Sequence, residues 1–244
     1  MKTQLFVLLL FIMALITLTG CEKDHDDSLP LLPVESVSIN PSYENYSFSG
    51  EIDKVVYASL FGSILPGYKI NLNNDSIDDI EFSCSVYRSI NFEQWNASVK
   101  TLHENVKIDV QQDTLLFANY YIKHYNPSTK DSITVSYREN YDKTKQYPLN
   151  LSITKVIVGY PFVHSAGDIL NEHKNWGSGN YSLEYYDNSS GVKTNIHGGG
   201  WRNIDRKYIG VRLSDKDALF YGWIELGVAD FRITLYKYAL QEIK

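Results

Sequence analysis

The last forty residues constrain the fold most tightly. Ile209, Val211 and Leu213 alternate, as do Ile224, Leu226 and Val228, and then Phe231, Ile233 and Leu235. Asp215-Lys216-Asp217 and Ala229-Asp230 separate the three runs. A period of two puts each set on one face of a strand, and the short polar breaks fold the strands antiparallel. A slip of one residue would turn all of these side chains into water. At about 1.5–3 kcal/mol for each, the register is fixed.

The same grammar runs upstream. The chain has 19 Tyr, with Val, Ile and Thr frequent and Asn and Ser abundant between the apolar runs, a composition of strands joined by polar turns. Alternating stretches are expected at 54–60, 68–72, 80–87, 107–110, 114–122, 133–137 and 149–158. A hairpin is expected from 181–186 and 192–196 around Asn188-Ser189-Ser190-Gly191. Gln111-Gln112-Asp113 reads as a turn. Many short strands with frequent turn signals predict an all-β body, an antiparallel β-sandwich or jelly-roll-like fold, rather than βαβ units. One short helix is expected over 165–171, where Ser165 and Asp168 have capping-box spacing and Gly167 limits its length.

The N-terminus is built differently. Lys2 precedes an apolar run from Leu5 to Leu18, and Leu18-Thr19-Gly20-Cys21 follows. The run falls short of the about 20 residues of a membrane span, and its layout is that of a secretory signal. Leu18-Thr19-Gly20-Cys21 resembles a bacterial lipobox. That resemblance implies cleavage before Cys21 and lipidation of its thiol, with residues 1–20 as the signal peptide. Lys23, Asp24, Asp26 and Asp27 resemble the acidic surface-export signal that follows the lipidated cysteine in some Gram-negative bacteria. Residues 21–46, interrupted by Pro30, Pro33 and Pro41, read as an acidic tether with room for a short strand at 37–39. Residues 47–244 form one β-rich domain.

Lys2 is the only charge among the first twenty residues. Beyond it stand 22 basic and 29 acidic residues, a net charge of −7. That balance excludes nucleic acid and anionic lipid headgroups as electrostatic partners. With Cys21 assigned to lipid, Cys84 has no disulfide partner. It shares a strand face with Ile80, Phe82 and Val86 and reads as a buried thiol.

Lys207-Tyr-Ile-Gly-Val-Arg-Leu213, Tyr221-Gly-Trp-Ile-Glu-Leu226 and Ile233-Thr-Leu-Tyr-Lys-Tyr-Ala239 resemble the closing module of a group of uncharacterised secreted bacterial proteins. Gly167-Asp168-Ile169 before Trp176, and Gly199-Gly200-Trp201, fit the same layout. The resemblance implies a shared β fold and carries no activity with it.

The candidate sites are modest. Asn71, Asn73, Asp75, Ile77 (by its carbonyl) and Asp79 resemble a calcium loop, although Asn71 and Ser76 replace the Asp and Gly expected there. The other reading is an Asx-rich turn. Tyr185, Tyr186 and Trp223 are candidates for stacking on sugar rings, with burial in the core as the alternative, favoured for Trp223. His164, Asp168 and His173 are near one another in sequence, with a solvated helix edge as the plain reading. His197-Gly198-Gly199-Gly200 lacks the nucleophile elbow that an esterase oxyanion loop serves. Asp27, Asp75, Asp113 and Asp131 each begin a three-residue pattern resembling an O-glycosylation site. No catalytic motif or required cofactor is found, calcium being the one ion considered. The expectation is therefore a non-catalytic lipoprotein, tethered to the outer membrane and exposed at the cell surface. Its role is in binding or structure, with a glycan or an envelope protein as partner. A glycan-binding module and a secreted-type hydrolase stand as alternatives.

Overall fold

The computed structural model describes residues 36–42, 46–58, 65–89, 92–189, 192–229 and 232–243. Cys21 and the expected signal and export residues lie outside the described residues, as do Asp230 and Phe231.

The described residues form fifteen strands. These are β1 (Ser36–Ser38), β2 (Phe48–Tyr57), β3 (Tyr68–Ile70), β4 (Ile80–Ser89), β5 (Phe92–Thr101), β6 (Val106–Asn126), β7 (Asp131–Asn140) and β8 (Ser152–Pro161). Then come β9 (Ile169–Asn171), β10 (Trp176–Gly177), β11 (Asn180–Ser189), β12 (Val192–Gly198), β13 (Ile204–Asp215), β14 (Ala218–Ala229) and β15 (Arg232–Ile243). The main sheet runs β2-β15-β14-β13-β6-β7-β12-β11-β5-β4-β3, with β8 and β10 also on β6 and a separate β1-β9 pair. Pairing is antiparallel apart from β12 beside β7. The class is all-β and sandwich-like.

The three closing strands form as their alternation predicts. Ile209 faces Ile224, Leu213 faces Phe220, and Leu226 faces Leu235. Together with Val211, Val228 and Ile233 they enter a large core that includes Phe82, Cys84, Val86 and Trp201. Their opposite face is buried too. Tyr208, Tyr221, Trp223 and Ala239 pack beneath Val37, Ile39 and Leu170. Glycines in this sheet mark close approach: a Cβ at Gly222 would lie 2.0 Å from the Ala239 carbonyl oxygen.

Three expectations are corrected. The helix over 165–171 is a turn followed by a strand. Asp168 Oδ2 accepts the Ser165 N–H at 2.8 Å, as the capping spacing implies. Gly167 then takes φ +91°, and the chain from Ile169 pairs with Ser36–Ser38 instead of coiling. The turn expected at Gln111-Gln112-Asp113 is continuous strand, because Tyr160, Gly159 and Val158 of β8 pair with these three residues. Residues 36–40, read as tether, belong to the body: Val37 and Ile39 are buried, and Ile39 and Gly167 exchange hydrogen bonds with their neighbours across the β1-β9 pair.

Burial pushes the Cys84 thiol up to about 12, with the Ile233 backbone working weakly the other way. The thiolate is the reactive form. Native protein is therefore expected to give no fast reaction with a disulfide reagent at pH 8, and one equivalent after unfolding. Rapid labelling of the folded chain would contradict this placement.

Candidate functional site

Among the described residues a groove of about 680 Å³ is floored by β6, β7 and β12 and walled by β5 and β11. Asn119, Tyr121, Arg138, Asn150, Asp187 and Thr194 give it its chemistry. Alternation on two strands explains it. Asn119 pairs with Arg138 and Tyr121 with Ser136, so one face of β6 and β7 is polar. Arg138 in turn pairs with Thr194, and Asp187 with Ile196 and Gln94. Residues directly opposite in a sheet share a face, so one surface runs across five strands.

Its parts are held by their neighbours. The Asn150 side chain accepts the Tyr121 N–H at 3.1 Å and donates to the Tyr121 carbonyl at 2.9 Å. It therefore acts as a one-residue strand that fixes Tyr121, which is 45% exposed. Asn119 donates to Thr154 Oγ1 at 3.0 Å. Asp187 Oδ2 accepts the Tyr185 hydroxyl at 3.2 Å, while Asp187 Oδ1 is buried without a partner. The Arg138 guanidinium lies 5.0 Å from the Phe117 ring centre. On the other face of the same strands Tyr120 and Tyr137 stack at 5.0 Å, with Lys145 over Tyr120 and Tyr147.

The three stacking candidates separate. Trp223 is 0% exposed and leaves the set. It meets Tyr46 and Tyr208 edge-on and donates to the Tyr46 hydroxyl. Tyr186 is half-buried against His197, and burial leads in lowering the His197 pKa, with Arg202 adding to it. Tyr185 lines a second cavity of about 220 Å³ together with Leu115, Tyr160 and Gly198. Burial first, and then Asp187, pushes its hydroxyl up to about 12. The aromatic with an open face in the large groove is Tyr121, which the sequence reading passed over. Its signal was present: β7 carries Ser132, Thr134, Ser136 and Arg138 on alternate positions, where a sandwich interior would carry apolar residues.

The Asn/Asp loop is knitted by its own groups. Asp75 N–H donates to Asn73 Oδ1, and Ile77 N–H donates to Asp75 Oδ1 at 2.8 Å. Asn73 Nδ2 donates to Asp75 Oδ2, and Leu72 N–H donates to Asp79 Oδ2 at 2.7 Å. Asn71 Oδ1 is buried without a partner. The Ile77 side chain is exposed. Asn74 and Ser76 take φ of 61° and 73°, the left-handed conformation that Asn tolerates and Gly would ease. These are successive Asx turns. Burial, and then the charges of Asp75 and Asp78, hold the Asp79 carboxyl above its usual range, against the Leu72 N–H. A carboxyl raised on folding favours the folded state while protonated, and that contribution is lost as pH rises through the folded value. Asp79→Asn is therefore expected to raise the melting temperature at pH 7 and to do less at pH 3. An equal effect at both would contradict it.

His164 and Asp168 do meet, but His173 stays exposed beside Glu172. The missing partner is Asp109 of β6. His164 Nε2 lies 2.9 Å from Asp109 Oδ2, and Nδ1 lies 3.3 Å from Asp168 Oδ2. Asp109 Oδ1 accepts the Asn175 N–H. The Ser165 amide first, and then His164, hold the Asp168 carboxyl below its usual range. The His164 side chain is 0% exposed, and its backbone bridges Tyr208 of β13. Gly210 makes the room: a Cβ there would lie 3.2 Å from His164 Nε2. This is an internal clasp between β6, the segment after β8 and β13, with the His164 side chain closed to solvent and Asp168 partly exposed. Lys207 Nζ donates to Ser165 Oγ at 3.0 Å. Glu225 is buried and saturated by Arg206, at 2.8 and 3.1 Å, and by the Tyr208 hydroxyl at 3.0 Å. His197-Gly198-Gly199-Gly200 ends β12, where Gly199, at φ +92°, passes so close to the Leu183 carbonyl that a Cβ would lie 2.2 Å from it. Among the described residues no three or more His, Cys, Asp or Glu are grouped to hold a metal ion.

No protein-family model, no curated protein and no solved structure matches the chain.

Proposed function

We propose that this chain is a lipoprotein of the outer membrane, anchored through Cys21 and exposed at the cell surface, whose β body binds glycan without catalysis. The observation that carries the binding reading is the polar groove holding Tyr121, Asn119, Arg138 and Asp187. Its volume of about 680 Å³ lies within the range of small-ligand sites. A sugar offers hydroxyls to Asn and Asp side chains and an apolar ring face to a tyrosine. The anchoring reading rests on Leu18-Thr19-Gly20-Cys21 and the acidic residues after it.

The test is a glycan array probed with the purified chain. At least one oligosaccharide is expected to bind, and Tyr121→Ala to weaken it about tenfold, the loss of one ring contact. An array with no binder would remove the glycan reading. Cys21→Ser is expected to abolish palmitate labelling and to release the chain from the membrane fraction. Labelling that persists would remove the anchor.

A second reading, a structural or interaction role in the envelope, is favoured by one feature. Leu116, Ile153 and Ile157 are exposed on one face of β6 and β8, more apolar surface than an isolated sheet face needs. Cross-linking in intact cells is expected to recover a partner under this reading, and Ile157→Asp to lose it.

A further inference from the structure

Within the glycan reading, and resting on it, we infer that the groove takes an acidic sugar, with the ligand carboxylate on Arg138 and a neighbouring hydroxyl on Asp187. Two unsatisfied groups of opposite kind share the polar surface. Among the described residues Arg138 has no hydrogen-bond or ion-pair partner; its guanidinium rests against the Phe117 ring. A guanidinium steadied on an aromatic ring keeps its N–H fork free, and that fork matches a planar carboxylate in two parallel bonds. Asp187 Oδ1 is buried and receives no hydrogen bond, while its Oδ2 is held by Tyr185. A buried carboxylate oxygen without a donor is costly, and a ligand hydroxyl removes that cost.

The register sets their spacing. Arg138 lies opposite Thr194 on one side of β12, and Asp187 lies opposite Ile196 on the other. Two strand spacings and two residues separate the backbones, about 12 Å between Cα atoms. Side chains reaching inward from both sides leave a gap of the order of one or two sugar rings. Thr194 of β12 lies between them on the same face, and Asn119 of β6 flanks Arg138 on its other side, where its side chain suits a ring hydroxyl.

The rest of the molecule sharpens the expectation. The chain carries a net charge of −6, so no general attraction draws a polyanion to it. Recognition rests on one local cation, and the salt dependence of binding is that of a single ion pair rather than of a basic surface.

The test uses the full chain in detergent micelles, titrated with a short oligogalacturonate and with its methyl ester. The ester keeps the ring shape and removes the charge. The acid is expected to bind at least about tenfold more tightly than the ester, the worth of a charge-assisted bond. Arg138→Gln is expected to erase that preference, with the melting temperature unchanged because the side chain is exposed. Arg138→Lys should restore part of it. Asp187→Asn is expected to weaken acid and ester alike. Equal binding of acid and ester by the unaltered chain, or a preference surviving Arg138→Gln, would overturn the acidic ligand and leave a neutral glycan in the groove. Binding of neither, with an empty glycan array, would overturn the glycan reading as well.

Discussion

Replacing His164 with leucine is expected to destabilise the fold by about 3–5 kcal/mol, the cost of leaving the buried Asp109 carboxyl without its hydrogen-bond partner. The side chain is fully enclosed, with Asp109 on one ring nitrogen and Asp168 on the other. Asp168 is partly solvated, so water can replace its lost bond. Asp109 is 4% exposed and would keep only the Asn175 N–H on its second oxygen. For a body of about 200 residues the loss amounts to about 10 °C or more in melting temperature. The double variant Asp109→Leu/His164→Leu is expected to recover a good part of it, because no charge is then stranded. Single and double variants of equal stability would show that packing, rather than the stranded carboxylate, sets the cost. A single variant within 1 °C of the parent would contradict the clasp altogether.

The second large effect concerns residues 36–40. Val37 and Ile39 cover the outer face of β13, β14 and β15, above Tyr208, Tyr221 and Trp223. Tyr46 ties the cover down: its hydroxyl donates to the Ser38 carbonyl and accepts from Asn40 N–H and Trp223 Nε1. Lys237 Nζ donates to the Pro41 carbonyl at 2.7 Å. Ile39→Asp places a charge where a fully buried side chain stood and is expected to cost about 3 kcal/mol or more. A chain beginning at Tyr46 loses both apolar side chains, about 3–6 kcal/mol as an upper figure. Tryptophan emission should shift to the red as Trp223 meets water. A chain beginning at Tyr46 that melts with the parent and keeps its emission would show that the strand is dispensable.

Much of the framework was legible because alternation reports burial directly. Ile80, Phe82, Cys84 and Val86 were placed on one face, and all four are buried. Ile209, Ile224, Leu226 and Leu235 were placed on inward faces by period alone, and Ile209 pairs with Ile224 and Leu226 with Leu235. Where sequence reading failed, a distant strand had decided the outcome. Gln111-Gln112-Asp113 has turn composition, yet β8 supplies the partner that keeps it extended. Ile169–Asn171 follows a capping signal, yet β1 captures it as a strand. Propensity is local, and pairing is not.

The site was less legible for the same reason. Asp109 sits between Ile108 and Val110, where a lone carboxylate in an apolar run hinted at a buried partner, but His164 is 55 residues away. The groove joins residues from β5, β6, β7, β11 and β12, and no spacing in the chain announces that they converge. Aromatic content put Trp223 among the stacking candidates, with burial favoured because of its motif. The motif turned out to serve packing, with Gly210 and Gly222 leaving space for His164 and for Leu240.

The most direct measurement is a backbone amide chemical-shift titration of the isotope-labelled chain with an oligosaccharide that binds it. Shifts concentrated at Asn119, Tyr121, Ser136, Arg138 and Asp187 are the predicted result. Shifts confined to the 71–79 loop, or to the exposed face of β8, with those five amides unmoved, would contradict the assignment of the groove.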